Sequence, residues 1–117
     1  MVPTIVLKDG KPFLVLGAPG GSRIITAVLQ VILNVIDFGM NIQDAIDFPR
    51  VHHQSKPDRL DIERGISPDT IVLLKKAGYN IEPAKPVVIA RVEAILLADG
   101  WLQGGHDERG CGKAVGY

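Results

Sequence analysis

The sequence predicts a mixed α+β fold, and three observations carry that prediction. Asp-Gly pairs at 9–10 and 99–100 each separate two β-rich runs, the pattern of a hairpin whose central residues take positive φ. Apolar residues at 24, 25, 28, 29, 32, 35 and 36 recur at helical spacing. The resulting order, hairpin, helices, strand, helix, strands, lacks the regular alternation of a doubly wound parallel sheet. All of it lies in 117 residues, so residues 1–117 are read as a single domain with no internal linker or repeat.

In chain order, residues 4–7 and 12–16 are the arms of the first hairpin. A glycine turn follows, "GAPGGSR" at 17–23, and then a helix over 22–39 that Ser22 is placed to cap and Gly39 to end. Val31 and Leu33 carry apolar character almost all the way round it, so burial on most sides is expected. Asn41 caps a short helix over 42–48 that stops before Pro49. Residues 49–54 are an extended or irregular crossing, and the alternation in "DRLDIER", 58–64, predicts a half-buried strand. Ser67 and Pro68 open a third helix that Gly78 ends. A short strand is predicted at 79–83, and two more strands around Ala98-Asp99-Gly100, within 87–105. The charged, glycine-rich tail from Asp107 to Tyr117 reads as surface loop.

Composition narrows the function. Thirteen basic and thirteen acidic residues cancel, which removes the electrostatic case for nucleic acid or an anionic membrane. A single cysteine excludes an internal disulfide and a cysteine-based metal site. The longest apolar stretch, Ile24–Ile36, is broken by Thr26, Gln30 and Asn34 and is too short to span a bilayer. The first residues lack the basic flank and apolar segment of a signal peptide.

The chemistry-bearing candidates are few. In the glycine turn, the N–H groups of Gly20 and Gly21 stand near a helix N-terminus and can hold an anion or oxyanion. A plain strand-to-helix connection explains the same residues. The turn has neither the phosphate-loop nor the dinucleotide glycine spacing. His52 and His53 are adjacent, and with Asp58, Asp61 and Glu63 they set no ligand geometry; surface or packing roles are the simpler reading. His106, Asp107 and Glu108 lie near Cys111, but that cysteine has no evident base. Arg23 and Arg91 are each able to bind a carboxylate, and surface placement explains them equally well. No metal or cofactor motif is found, and no catalytic triad.

Taken together, "PTIVLKDGKP", "LGAPGGSRIIT", "NVIDFGMNIQDAIDFPRVHHQ", "ERGISPDTIVLLKKAGY" and the terminal "AVGY" resemble the C-terminal part of the small subunit of the gamma-glutamyltransferase (gamma-glutamyltranspeptidase) family. The resemblance implies part of a four-layer αββα N-terminal-nucleophile hydrolase fold. In that family a precursor cleaves itself into large and small subunits. The exposed N-terminal threonine attacks the γ-glutamyl amide of glutathione or a relative, and the acyl group passes to water, an amino acid or a peptide. The resemblance makes Gly20 and Gly21 the oxyanion-hole donors. Its members are often exported.

The family's Thr-Thr-His nucleophile motif is absent, since Thr4, Thr26 and Thr70 stand in other contexts. So are its serine pair and the arginine, asparagine and aspartate of its glutamate pocket. The chain therefore reads as a truncated piece, about the last third of the small subunit, inactive alone and dependent on the large subunit and the rest of the small one. Two departures concern subfamily: His106-Asp107-Glu108-Arg109 stands where the family often has Ser-Asp-Pro-Arg, and Arg91-Val92-Glu93-Ala94-Ile95 lacks a usual polar residue. Two other readings stay open, a standalone domain that binds a partner or small anion, and a related acylase of the cephalosporin-acylase or polyglutamate-depolymerase type. With layers missing, the isolated chain is expected to form a homo-oligomer.

Overall fold

Both Asp-Gly pairs turn the chain as their chemistry requires. Asp9 and Gly10 take φ of 52° and 74°, and Asp99 and Gly100 take 53° and 78°, the paired left-handed geometry that suits the twist of a hairpin. The computed structural model describes residues 3–82 and 87–116. Hairpin β1 (Thr4–Lys8) and β2 (Lys11–Gly17) joins hairpin β5 (Glu93–Ala98) and β6 (Trp101–Gly105) through antiparallel pairing of β2 with β5. The product is one four-stranded sheet in the order β1-β2-β5-β6. Between the hairpins run α1 (Ile24–Ile36), α2 (Ile42–Asp47), the two-residue strands β3 (Val51–His52) and β4 (Asp61–Ile62), and α3 (Pro68–Lys76). The fold is α+β, as the element order predicts.

Alternation along the strands decides the layers. Leu14, Leu16, Ala94 and Leu96 point to one face, where α1 and α2 cover them with Ala27, Val28, Val31, Val35, Ile42, Ala45 and Ile46. The register Ile5↔Val15↔Ile95 puts the alternate residues on the opposite face. Ile5 is 61% exposed there, Ile95 45% and Leu102, opposite Leu97, 73%. A sheet apolar on both faces is built to be covered on both, and this chain covers one.

Helix α1 departs from its expected burial in the same way. Its inner stripe is buried, but Ile25, Leu29 and Ile36 stand at least half exposed on the outer side. Its polar interruptions are not random. Thr26, Gln30 and Asn34 recur every fourth residue, and the Gln30 side chain donates to Val51 O and accepts from Val51 N while Asn34 donates to Ala45 O. The stripe docks β3 and α2 onto the helix.

Other expectations need correction. Ser22 does not cap α1; a single 3₁₀ turn, Gly21–Arg23, precedes the helix, and the Ser22 hydroxyl donates to Gln54 instead. Gly39, at φ 65°, ends α1 as expected. The strand predicted over 58–64 shrinks to Asp61–Ile62, because before it Arg59 N–H turns back to Pro57 O and Leu60 N–H goes to Asn80 O instead of to a neighbouring strand. No strand forms at 79–82, and Pro83 of that predicted strand lies outside the described residues, as do Met1 and Tyr117. Residues 87–92 are not strand: Ala90 sits at φ 59°, and side chains take their backbone groups.

Helix α3 begins as predicted, with Ser67 accepting from Thr70 N at 3.2 Å and Pro68 in the first turn. None of its residues is buried, so the cap carries an unusual share of its stability. Ser67→Ala should cost about 1 kcal/mol, read as a lowered urea midpoint at unchanged slope.

Candidate functional site

The glycine turn is where the main sheet hands the chain to α1. β2 ends at Gly17, Ala18 is fully buried, and Gly20 and Gly21 follow at φ 149° and 61°. Both conformations favour glycine. The first backbone donor of the helical segment is Arg23 N–H, which reaches Gly20 O at 3.3 Å, so the N–H groups of Gly20 and Gly21 precede the helical ladder. They share the positive end of the helix dipole. Gly20 is required for a second reason. A Cβ there would lie 2.6 Å from Ala90 Cβ and 2.8 Å from Ala90 Cα, whereas one at Gly21 would meet open space. Arg91 N–H closes the seam by donating to Pro19 O at 3.2 Å.

The segment 49–54 braces the other side of the turn. Gln54 Oε1 accepts from Ser22 Oγ at 2.7 Å and faces His52 Nε2 at 3.1 Å. Since that oxygen can only accept, the proton of a neutral His52 sits on Nε2. Thr26 Oγ1 lies 2.8 Å from His52 Nδ1 and 3.1 Å from Arg23 O, two acceptors for its one proton. His52 is buried and serves packing and polar bracing. His53 instead meets Asp58 near the surface. Arg23 pairs with Asp61 at 2.8 Å, and Arg59 holds the other Asp61 oxygen at 2.7 Å. Burial alone would raise the Asp61 carboxyl; the two guanidinium groups outweigh it and hold it below the ordinary carboxylate value. Ser22, Arg23, His52, Gln54, Arg59 and Asp61 thus line one polar cleft beside the turn.

Behind the turn lies a buried charge cluster that the sequence reading does not contain. Arg50 is 1% exposed and Asp107 0%, paired at 2.8 Å. Asp107 is therefore no surface-loop residue, because its carboxylate also accepts from Val92 N at 2.7 Å and from Arg109 N–H and Nη1 at 3.0 Å each. Burial raises that carboxyl, but these donors and the Arg50 charge win and hold it below the ordinary range. Glu63 accepts from Arg50 N, from Ile89 N and from the Arg109 fork. The guanidinium of Arg109 also caps the end of α2, donating to Ile46, Asp47 and Phe48 carbonyls. Arg50 Nε is buried without a partner among the described residues.

Of the other candidates, Cys111 is exposed, Glu108 is exposed, and His106 bonds Glu93 at 2.9 Å. They do not converge on the glycine turn. Among the described residues no group of three or more His, Cys, Asp or Glu side chains gathers as a metal site, and no helix is long and apolar enough to cross a membrane. The signal for the buried cluster is the run of four charged or polar residues at 106–109, whose flanking glycines make it read as loop.

Comparison with known proteins shows the family. The family model described as gamma-glutamyltranspeptidase matches residues 1–117. The chain is 49% identical over 110 residues to the glutathione hydrolase proenzyme of Escherichia coli (strain K12), covering 93% of this chain and 19% of that protein. Its fold is similar to that of the gamma-glutamyltranspeptidase from Pseudomonas nitroreducens complexed with L-DON, with TM-score 0.89, 36% identity, all of this chain and 62% of that one. It is also similar to the T380A mutant of the Helicobacter pylori gamma-glutamyltranspeptidase, with TM-score 0.86, 51% identity, 94% of this chain and 61% of that one. The chain thus spans about a fifth of the curated proenzyme from E. coli and about three-fifths of the matched solved chains.

Proposed function

Because the chain belongs to the gamma-glutamyltranspeptidase family, we propose that it is the C-terminal portion of an enzyme that cleaves γ-glutamyl amides such as glutathione. The acyl group would pass to water or to an amino acid or peptide acceptor. Residues 1–117 form one domain of the αββα N-terminal-nucleophile hydrolase fold, and Gly20 and Gly21 supply its oxyanion hole.

The single observation that carries this reading is the pair of positive-φ glycines whose N–H groups precede the α1 ladder. When a threonine hydroxyl attacks the amide carbon, the carbonyl π electrons move to oxygen. Two fixed N–H donors at a helix N-terminus are suited to that charge, because they need no reorientation as it develops. The nucleophile has no counterpart among Thr4, Thr26 and Thr70. Thr26 is held between His52 and Arg23 O, and Thr70 sits in the α3 cap. The threonine must come from a part of the enzyme outside these 117 residues.

The purified chain should therefore release no chromophore from a γ-glutamyl anilide. Steady turnover that tracks this chain through purification would overturn the assignment of roles.

The uncovered surfaces fit the same reading. The second sheet layer of the family fold belongs on the face bearing Ile5, Ile95 and Leu102. Alone, the chain should bury that face and the outer stripe of α1 by self-association. Light scattering is expected to give a mass above one chain; a stable monomer at high concentration would count against it.

A further inference from the structure

We propose that Arg50, Glu63, Asp107 and Arg109 are positioning residues for the glycine turn, acting through the backbone of residues 89–92. The inference rests on the reading of Gly20 and Gly21 as the oxyanion donors and adds what holds them in place.

None of the four side chains hydrogen-bonds the turn. What they hold is its neighbour. Ile89 N donates to Glu63 Oε1 at 2.7 Å, Ile89 O accepts from Arg50 Nη1 at 3.0 Å, Ala90 O lies 3.4 Å from the same nitrogen, and Val92 N donates to Asp107 Oδ2 at 2.7 Å. The remaining donor in the run, Arg91 N, goes to Pro19 O in the turn itself. Backbone groups that would otherwise join a ladder are thus distributed between the charge cluster on one side and the turn on the other. Ala90, held at φ 59°, is pushed against Gly20 so closely that a methyl at Gly20 would sit 2.6 Å from its Cβ. The contact is made by the Cβ and Cα of Ala90, which have no flexible side chain to absorb a shift. A displacement of 89–92 by a few tenths of an ångström passes to Gly20 almost undiminished, and oxyanion donors act only when held to about that tolerance.

The cluster is itself over-determined. Arg109 grips Glu63, Asp107 and the carbonyls of Ile46, Asp47 and Phe48, and Arg50 grips Asp107 and Ile46 O, so three separated chain segments, 46–50, the stretch at Glu63 and 107–109, are locked to 89–92. Fully desolvated charges add little to net stability compared with apolar packing of the same volume. Their fixed fork geometry does give 89–92 a defined place.

Amide hydrogen exchange on the 117-residue chain tests the coupling without any catalytic assumption. Glu63→Gln and Asp107→Asn keep side-chain shape and remove one charge each. Exchange at Arg91, which reports the seam, and at Arg23, which reports the turn, should rise at least tenfold, while the amides of α3 stay unchanged. No rise at Arg23, or an equal rise in α3, would overturn the coupling. If one variant fails to fold, Arg109→Lys, which keeps the charge and loses the fork, gives the same readout.

The catalytic arm uses a graft of residues 1–117 in place of the matching segment of the E. coli proenzyme. There the same variants should lower kcat ten- to a hundredfold for a γ-glutamyl anilide with KM within twofold. Unchanged kcat beside a damaging Gly20→Ala would overturn this inference alone. Unchanged kcat in Gly20→Ala would overturn the oxyanion reading on which it rests.

Discussion

Asp107→Ala should destabilise the domain by about 3–5 kcal/mol, the range for removing one member of a buried ion pair. The substitution strands the 1%-exposed Arg50 and removes the acceptor for the Val92 and Arg109 N–H groups. It also takes one carboxylate from the fork of Arg109. A domain of this size has only about 5–15 kcal/mol in total, so the loss is a large share of it. Urea denaturation followed by circular dichroism reads it directly; a change below about 1 kcal/mol would mean the pair is not buried in solution.

The same carboxylate sets an acid limit. Asp107 and Asp61 are both held below the ordinary carboxylate value, about 3.9. A depressed folded value means that the unfolded chain binds protons more readily. Their contribution is therefore complete above about pH 4 and is lost as the pH falls through the folded values. Asp107→Asn should flatten the fall in stability over that acid window and leave the slope near neutrality unchanged.

The second large effect belongs to the turn, where two adjacent glycines should respond differently. At Gly20 an alanine methyl collides with Ala90 at 2.6 Å, so the turn or residues 89–92 must move. At Gly21 a methyl meets nothing, and the cost is the left-handed backbone at φ 61°, about 1–2 kcal/mol. In the graft on the E. coli proenzyme, Gly20→Ala should lower kcat by on the order of a hundred- to a thousandfold, the cost of losing one oxyanion donor. Gly21→Ala should cost at least tenfold less. Equal effects would mean that backbone strain, and not donor placement, dominates the turn.

Local chemistry was readable from residues alone wherever it stayed local. The Asp-Gly hairpins, the Asn41 and Ser67 caps, the Gly39 stop and the glycine turn each depend on a few neighbours in sequence. What could not be read is long-range. Arg50, Glu63, Asp107 and Arg109 span nearly sixty positions, and each alone looks like surface charge. The irregular path of 87–92 follows from that cluster, since apolar Val-Val-Ile-Ala suggests strand until its backbone partners are known. Ser22 is a good cap by type, yet Gln54, thirty-two residues on, claims its hydroxyl. The all-round apolar character of α1 is plain in its residues, but its outer side points to a neighbour that these residues do not contain.

The most direct test compares kcat for a γ-glutamyl anilide between the isolated 117-residue chain and its graft into the E. coli proenzyme, which is 49% identical over the matched residues. The expected result is no turnover by the chain and restored turnover in the graft, lost again on Gly20→Ala. A graft that folds and matures but stays inactive, or one whose rate ignores Gly20, would contradict the assignment of the glycine turn as the oxyanion half of the active site.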